Sequence, residues 1–115
     1  MGEECVFCKI IAGKIPSDIV YQDDKAVVIR DINPQAPVHL LVMPKEHVSS
    51  LAHIGAEQKE ILGHLVYVAN EVARRQGLAE RGYRVSVNHG REGGQLVPHI
   101  HFHLLGGRQL SGILG

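Results

Sequence analysis

Three histidines alternate with apolar residues near the end of this 115-residue chain: His99, His101 and His103. Side chains on a β-strand point alternately to opposite faces, so a strand here would put all three imidazoles on one face and the intervening residues in the core. An imidazole titrates near neutral pH and can act as a nucleophile, a proton carrier or a metal ligand. Three surface histidines on a half-exposed strand are the alternative, which the strict alternation disfavours.

One metal ion cannot bind all three histidines of a straight strand. Residues two apart are separated by about 6.7 Å, so His99 and His103 would lie about 13 Å from each other. Zinc holds its nitrogen ligands at about 2.0–2.1 Å. We therefore expect the three histidines to be divided between different tasks.

Cys5 and Cys8 are separated by two residues, the usual spacing of a zinc knuckle. Thiol–disulfide catalysts and plain buried thiols share this spacing. A redox motif is expected within a βαβ pattern, which the chain lacks, and a structural disulfide is disfavoured in a chain with only these two cysteines. Zinc is the favoured hypothesis, with two further ligands from the histidines: His39, His47, His53, His64, His89 and the alternating three.

Hydrophobic patterning predicts the elements that position these residues. We expect a short helix over 6–12, a long helix over 57–76, and strands over 19–22, 26–30, 39–43, 83–88 and 99–105. Strands and helices without βαβ alternation favour an α+β domain with an antiparallel sheet, here one domain over 1–115. The apolar arc of the long helix spans roughly 160°, wider than the stripe of about 100° that one sheet covers. Contact with a second copy of the chain and deeper burial within one chain both explain that width.

The composition excludes several classes of function. Hydrophobic residues make up 44% and charged residues 21% of the chain, as in an ordinary globular domain. The 12 Lys and Arg balance the 12 Asp and Glu, so the basic excess of a nucleic-acid-binding protein is absent. No apolar run reaches the roughly 20 residues that span a membrane. The acidic N-terminus does not resemble a signal peptide, which predicts a cytoplasmic location.

The histidine segment, residues 99–105, resembles the signature of the histidine-triad (HIT) superfamily. Further segments resemble its Hint-like branch in order along nearly the whole chain: Phe7 with residues 9–11, and residues 15–16, 31–37, 44–47, 88, 93–95 and 106–108. The resemblance implies the HIT-like α+β fold, a five-stranded antiparallel sheet with one long and one short helix. It also implies a homodimer in which the two sheets join into one of ten strands.

The resemblance implies an activity and its catalytic residues. Hint-like proteins hydrolyse purine nucleoside 5′-phosphoramidates to an amine and the nucleoside monophosphate, through a covalent nucleotidyl-histidine. The nucleophile would be His101, with His103 and His39 completing the site. A neighbouring cationic histidine is a sensible proton donor to the leaving amine.

The resemblance also implies binding residues. A structural zinc ion would be held by Cys5, Cys8, His47 and His99. The base pocket would contain Phe7, Ile10, Ile32 and Leu41, and Asp31 would bind the ribose hydroxyls. Further substrate-binding residues would be Asn88, Gly94, Gln95 and Leu96, with backbone N–H groups of the Gly93–Gln95 segment facing the phosphate.

Two departures from the family pattern concern the leaving group. Leu96 stands where many Hint proteins have a serine whose hydroxyl can donate a hydrogen bond near the leaving group. The tail from Leu110 contains no tryptophan, which some members send into the partner's pocket. Two alternative functions remain, hydrolysis of dinucleoside polyphosphates by the same His101 and a nucleotide-binding adaptor that acts through a protein contact.

Overall fold

The computed structural model describes residues 5–113, which contain two helices and five strands. In chain order these are α1 (Val6–Ile11), β1 (Ile19–Gln22), β2 (Ala26–Arg30), β3 (Val38–Pro44), α2 (Lys59–Arg75), β4 (Arg84–Val87) and β5 (Phe102–Gly106). Two short 3₁₀ turns, Leu51–His53 and Ala56–Gln58, lead into α2. The long helix therefore begins two residues later than the sequence predicts, because its first predicted turn is of the tighter type.

The five strands form one antiparallel sheet in the order β1–β2–β3–β5–β4. Register places His103 of β5 between Leu41 of β3 and Ser86 of β4. Directly paired residues of neighbouring strands project to the same face, so these three side chains share one side of the sheet. The predicted α+β class and five-stranded antiparallel sheet are confirmed.

One face of the sheet packs against α2. The buried residues of this helix recur at helical spacing, as an amphipathic helix requires: Leu65, Val68, Ala69, Val72 and Ala73. They form a common core with Leu40, Val42 and Leu104 of the sheet. Neither helix among the described residues is long and apolar enough to cross a membrane.

The opposite face is covered only in part, by the N-terminal segment. Phe7 and Ile10 of α1 are buried there against Ile29 and Leu41 of β2 and β3. This short helix does not extend over β5 and β4. The polar end of the sheet, where His103 lies, is therefore left accessible from this side.

The histidine segment forms a regular strand only from Phe102, whereas the sequence predicts one from residue 99. Continuing the β3–β5 register would bring Ile100 opposite Pro44, which has no backbone N–H for the ladder. Ile100 instead donates its N–H to the Val48 carbonyl at 2.7 Å. The side chains still point alternately to the two faces of the sheet. Ile100 and Phe102 lie in the core beneath α2, whereas His99 lies on the other face, beside Cys5.

Candidate functional site

Two cysteines and two histidines converge at the N-terminal end of α1. The Cys5 Sγ lies 3.3 Å from His99 Nδ1, and the Cys8 Sγ lies 3.3 Å from His47 Nδ1 and 3.6 Å from His99 Nδ1. All four donor atoms lie within 4.8 Å of one another. A tetrahedral zinc ion with two sulfur and two nitrogen ligands requires sulfur–nitrogen separations of about 3.6 Å. The four side chains therefore fit a zinc ion with no open coordination position.

His99 is oriented for metal binding by its second nitrogen. Its Nε2–H donates to the Pro44 carbonyl at 2.9 Å, which leaves the lone pair of Nδ1 facing the sulfur atoms. Burial lowers the pKa of His99 to about 4, so the ring is neutral at physiological pH. A neutral imidazole with a fixed tautomer is the form that ligates a metal ion.

His101 is held by a hydrogen bond within its own segment. Its Nδ1–H donates to the His99 carbonyl at 2.8 Å, so the lone pair of the ring lies on Nε2. Phe7 packs edge-on against this ring with centroids 5.1 Å apart. Burial lowers the pKa of His101, which favours the neutral, nucleophilic form. His101 thus combines a fixed orientation with a free nitrogen.

A chain of hydrogen bonds connects the backbone to His103. The N–H of Gln35 donates to Nδ1 of His39 at 3.0 Å, so the proton of that ring lies on Nε2. This Nε2–H donates to Nδ1 of His103 at 2.9 Å and lies 3.3 Å from the Asp31 carboxylate. The remaining proton of neutral His103 is then on Nε2, the nitrogen on the far side of its ring.

Asp31, His39 and His103 also have the composition of a metal site. The tautomer of His39 argues against one. A metal ion on Nε2 of His39 would need a lone pair there, and the proton would then have to move to Nδ1, where the Gln35 N–H already donates. These three residues are therefore better described as a hydrogen-bonded relay.

His103 is neutral in the ligand-free site. Burial lowers its pKa to about 4, and the neighbouring His101 and His39 act in the same direction. The ring of His103 lies 5.1 Å from that of His101, centroid to centroid. Two neutral imidazoles therefore lie side by side, His101 with a free lone pair on Nε2 and His103 with its proton on Nε2.

A largely apolar cleft of about 460 Å³ opens beside the two rings. The predicted residues that line it are Phe7, Ile10, Asp31, Ile32, Leu41, Gly94, Leu96, His101 and His103. The cleft is of a size that binds small ligands. Ile32 is 98% exposed and lies at the rim of this cleft, whereas the family resemblance implies a place within a base pocket.

Two of the predicted substrate residues lie outside this cleft. The side-chain amide of Gln95 donates to the carbonyls of Ser49 and Val97, and its oxygen accepts from the Gly90 N–H. Gln95 therefore secures the loop before β5. Asn88 donates to the Gly93 carbonyl at 2.7 Å and lines a separate cleft beside His103.

The glycine loop is held closed by its own hydrogen bonds. The N–H of Gly94 donates to the Arg91 carbonyl, and that of Gln95 donates to the Gly90 carbonyl. A Cβ on Gly93 would lie 2.2 Å from the His89 carbonyl oxygen, so only glycine fits this turn. For either of those two N–H groups to reach a phosphate, the loop would have to open.

Some residues around the histidines were not predicted from the sequence. The Pro44 carbonyl and the Gln35 N–H fix the tautomers of His99 and His39, and backbone groups leave no signal in residue type. Arg84 and Ser86 share the face of His103. The alternation of residues 84–88 could have indicated them once the pairing of β4 with β5 was known.

The comparisons with known proteins agree with this geometry. Residues 12–110 match the model of the HIT domain. The purine nucleoside phosphoramidase of Escherichia coli K12 is 50% identical over 114 residues, covering 99% of this chain and 96% of that protein. A 14 kDa zinc-binding protein of Zea mays is 53% identical over 108 residues, covering 92% and 84%. A HIT family hydrolase from Legionella pneumophila superposes with a TM-score of 0.93 and 44% identity, covering 95% and 97%. The chain belongs to the HIT domain family.

Proposed function

We propose that this protein hydrolyses purine nucleoside 5′-phosphoramidates, with His101 as the nucleophile. The observation that carries the proposal is the hydrogen bond from His101 Nδ1 to the His99 carbonyl, which directs the free lone pair of Nε2 away from the backbone. The cleft beside this nitrogen has room for a small ligand. The 50% identity to a purine nucleoside phosphoramidase supports the reaction class.

The proposed reaction has two displacements at phosphorus. His101 Nε2 attacks the phosphorus atom, the P–N bond breaks, and its electron pair passes to the amine nitrogen, which takes up a proton. Water then attacks the nucleotidyl-histidine and returns a proton to His103, the bond from phosphorus to Nε2 of His101 breaks with its electron pair going back to that nitrogen, and the nucleoside monophosphate leaves. Dividing one difficult displacement in this way is the usual advantage of covalent catalysis.

His103 is the proposed proton donor to the amine. In the free site its pKa is about 4, so it carries no extra proton at neutral pH. Its one proton is on Nε2, because Nδ1 already accepts the Nε2–H of His39. We infer that this Nε2 proton passes to the amine as the P–N bond breaks, while His39 holds Nδ1 of the ring in place.

The nucleoside is proposed to occupy the apolar cleft. Ile10 and Leu41 provide its buried floor, and Phe7 packs between it and the His99 ring. Asp31 would accept hydrogen bonds from the ribose hydroxyls. One of its oxygens already accepts the Asn33 N–H at 2.8 Å, so this carboxylate is oriented before substrate binds.

A structural zinc ion is proposed for the cluster of Cys5, Cys8, His47 and His99. When bound, it supplies a cross-link between the N-terminal segment and the sheet, with no open position for catalysis. The donor distances and the tautomer of His99 support this assignment. The name of the maize relative as a zinc-binding protein supports it further.

A homodimer that joins two sheets through β4 is also proposed. β4 is an edge strand, and such strands present unpaired backbone groups to a second chain. Val66 on α2 is 44% exposed and lies one turn before Asn70, which accepts a hydrogen bond from Tyr83 beside β4. An apolar residue and a free strand edge thus lie on the same flank of the molecule.

Sedimentation velocity tests the dimer. The expected mass is that of two chains, and Val66→Glu is expected to shift it towards one chain. Tyr67→Glu is the matched control, because Tyr67 stacks with His64 on the opposite flank of α2, near the β1–β2 turn. A monomeric wild-type protein would contradict the dimer without affecting the proposed chemistry.

Release of AMP from adenosine 5′-phosphoramidate tests the proposed reaction. The wild-type protein is expected to turn over, and His101→Ala is expected to lose nearly all activity. His53→Ala is a control histidine variant, since His53 lies on a 3₁₀ turn outside the cleft and bonds to Ser50. Equal activity of His101→Ala and the wild-type protein would exclude His101 as the nucleophile.

A further inference from the structure

A second cleft, of about 400 Å³, begins at His103. His103 lines both clefts, whereas His101 lines only the nucleoside cleft. The strand register explains the second cleft. Ser86 pairs directly with His103, and Arg84 pairs with the next residue on the same face, Leu105. Because α1 does not extend over β4, this part of the sheet face remains open.

The second cleft has a strongly positive lining. It is bordered by Arg84 and Arg108, together with the polar groups of Ser86 and Asn88. Within residues 5–113, no Asp or Glu lines it. The whole chain carries a net charge of zero, so this local excess of two positive charges is a feature of the cleft and not of the composition.

Among residues 5–113, no carboxylate pairs with either guanidinium group. Arg84 donates to the Ser111 carbonyl, and Arg108 donates to the carbonyls of Gln35 and Gln109 at 2.9 and 3.0 Å. A guanidinium has five N–H donors, so each side chain retains donors beyond these contacts. By contrast, Arg30 pairs with Asp18 at 2.8 Å.

The position of this cleft relative to the nucleophile indicates its role. In a displacement at phosphorus, the attacking and leaving atoms lie roughly in line on opposite sides of the phosphorus atom. With the nucleoside beside His101, a leaving group departs away from His101. The second cleft lies in that direction, because His103 borders it and His101 does not.

We propose that the second cleft binds the leaving group, and that Arg84 and Arg108 select leaving groups that carry a negative charge. This inference rests on the proposed hydrolysis at His101. An arginine fork recognises carboxylate and phosphate groups alike. The anion is therefore either the carboxylate of an amino-acid-like amine or the phosphate of a polyphosphate.

Matched substrates test the selection. Two adenosine 5′-phosphoramidates are compared, one with β-alanine and one with β-alanine methyl ester as the leaving amine, which differ in charge. We expect the wild-type kcat/KM to be about tenfold higher for the carboxylate, because charge-assisted hydrogen bonds are the strong ones. Diadenosine triphosphate forms a third arm, in which the leaving group is a phosphate. If AMP is released fastest from the β-alanine substrate, the cleft selects a carboxylate. If it is released fastest from diadenosine triphosphate, the cleft selects a phosphate.

Substitutions of Arg84 and Arg108 test whether these two residues cause the preference for an anionic leaving group. Arg84→Gln/Arg108→Gln is expected to bring the ratio of carboxylate to ester close to one, because kcat/KM for the carboxylate falls by more than that for the ester. Arg108→Lys keeps the charge and is expected to keep part of the preference. Arg81→Gln is the matched control, because it removes the same charge from a neighbouring cleft and does not line this one. Thermal melting of each variant establishes that it is folded.

Binding separates this proposal from the proposed reaction. Calorimetry with the His101→Ala protein measures affinity for the same ligands without turnover. If the wild-type protein hydrolyses neither phosphoramidate, the proposed reaction fails, but the affinities still decide the role of the arginines. A wild-type protein that favours neither anion, in kinetics or in binding, would overturn the proposal. So would a preference that survives in the double variant.

Discussion

His39 donates its Nε2–H to Nδ1 of His103 across 2.9 Å, and this contact places the remaining proton of neutral His103 on Nε2. The backbone N–H of Gln35 occupies the other nitrogen of His39 and so determines which nitrogen carries the proton. His39 is buried, and its two ring nitrogens have polar partners only in Gln35, His103 and Asp31 among the described residues. We therefore infer that His39 acts by positioning His103.

Replacement of His39 tests the relay. His39→Ala is expected to lower kcat by about 100-fold, the usual contribution of one acid–base group, with a smaller change in KM. His39→Gln keeps an N–H donor and is expected to recover part of the loss. Steady-state kinetics with adenosine 5′-phosphoramidate measures both variants. If the alanine variant kept the wild-type kcat and only its KM rose, His39 would be a binding residue.

Loss of a zinc ligand is expected to destabilise the fold and reduce activity together. Cys8→Ala removes one of four donors, and loss of a metal site costs more than about 3 kcal/mol in free energy of unfolding. Activity is expected to fall because the His99 carbonyl orients His101.

Elemental analysis and urea unfolding measure these effects. The wild-type protein is expected to hold one zinc per chain and Cys8→Ala none. Ser49→Ala, beside the cluster but outside its four donors, is expected to keep the metal. A metal-free wild-type protein with full stability would show that the cluster is not a zinc site.

Asp23 is expected to stabilise the β1–β2 turn in a pH-dependent way. Its carboxylate accepts hydrogen bonds from the N–H groups of Lys25 and Ala26, the Tyr21 hydroxyl and His64 Nε2. Burial alone would raise the pKa of this carboxyl group, but these hydrogen bonds hold it well below its ordinary value. A carboxyl group with a lowered folded pKa stabilises the fold above its unfolded pKa, near 3.9, and loses that effect at lower pH.

Urea unfolding of Asp23→Asn at two pH values checks this expectation. The variant should lose about 2 kcal/mol at pH 7, since hydrogen bonds to a charged group are the stronger kind. The difference from wild type should shrink at pH 3. Asp24→Asn, an exposed neighbour, is the control and should change little. The same deficit at both pH values would show that charge on Asp23 is not the cause.

Leu96 is expected to limit the rate of amine release. Its side chain is 91% exposed at the rim of the nucleoside cleft, where many Hint-like proteins have a serine. Leu96→Ser places a hydroxyl donor at the rim of the cleft that His101 lines and is expected to raise kcat severalfold, up to about tenfold. Leu96→Ala separates the effect of the hydroxyl from that of removing the apolar side chain. Equal rates for the two variants would mean that the hydroxyl contributes nothing.

The alternation of His99, His101 and His103 was sufficient to predict that these residues divide between different tasks. The physical reason is local, because side-chain direction follows from the strand period alone. The cluster of Cys5, Cys8, His47 and His99 joins residues up to 94 positions apart, and its members were indicated by the family resemblance, not by spacing. The start of β5 at Phe102 was missed because it depends on Pro44 in a neighbouring strand.

The second cleft could not be predicted, because it depends on strand order. β5 lies between β3 and β4, so residues from β4 reach His103 only through this pairing. A pattern of alternating residues indicates which side chains share a face but not which strand lies alongside. The alternation around Arg84 and Ser86 therefore did not by itself indicate that they lie beside His103.

Direct detection of the covalent intermediate tests the central claim, that His101 is the nucleophile. The protein is mixed with adenosine 5′-phosphoramidate, quenched in alkali within the first turnover, and digested for mass spectrometry. We expect an adenylyl group on the Nε2 of His101, formed and lost at rates that match AMP release. AMP formed in the same turnover with no nucleotide on the protein, or with the nucleotide on His103, would contradict it.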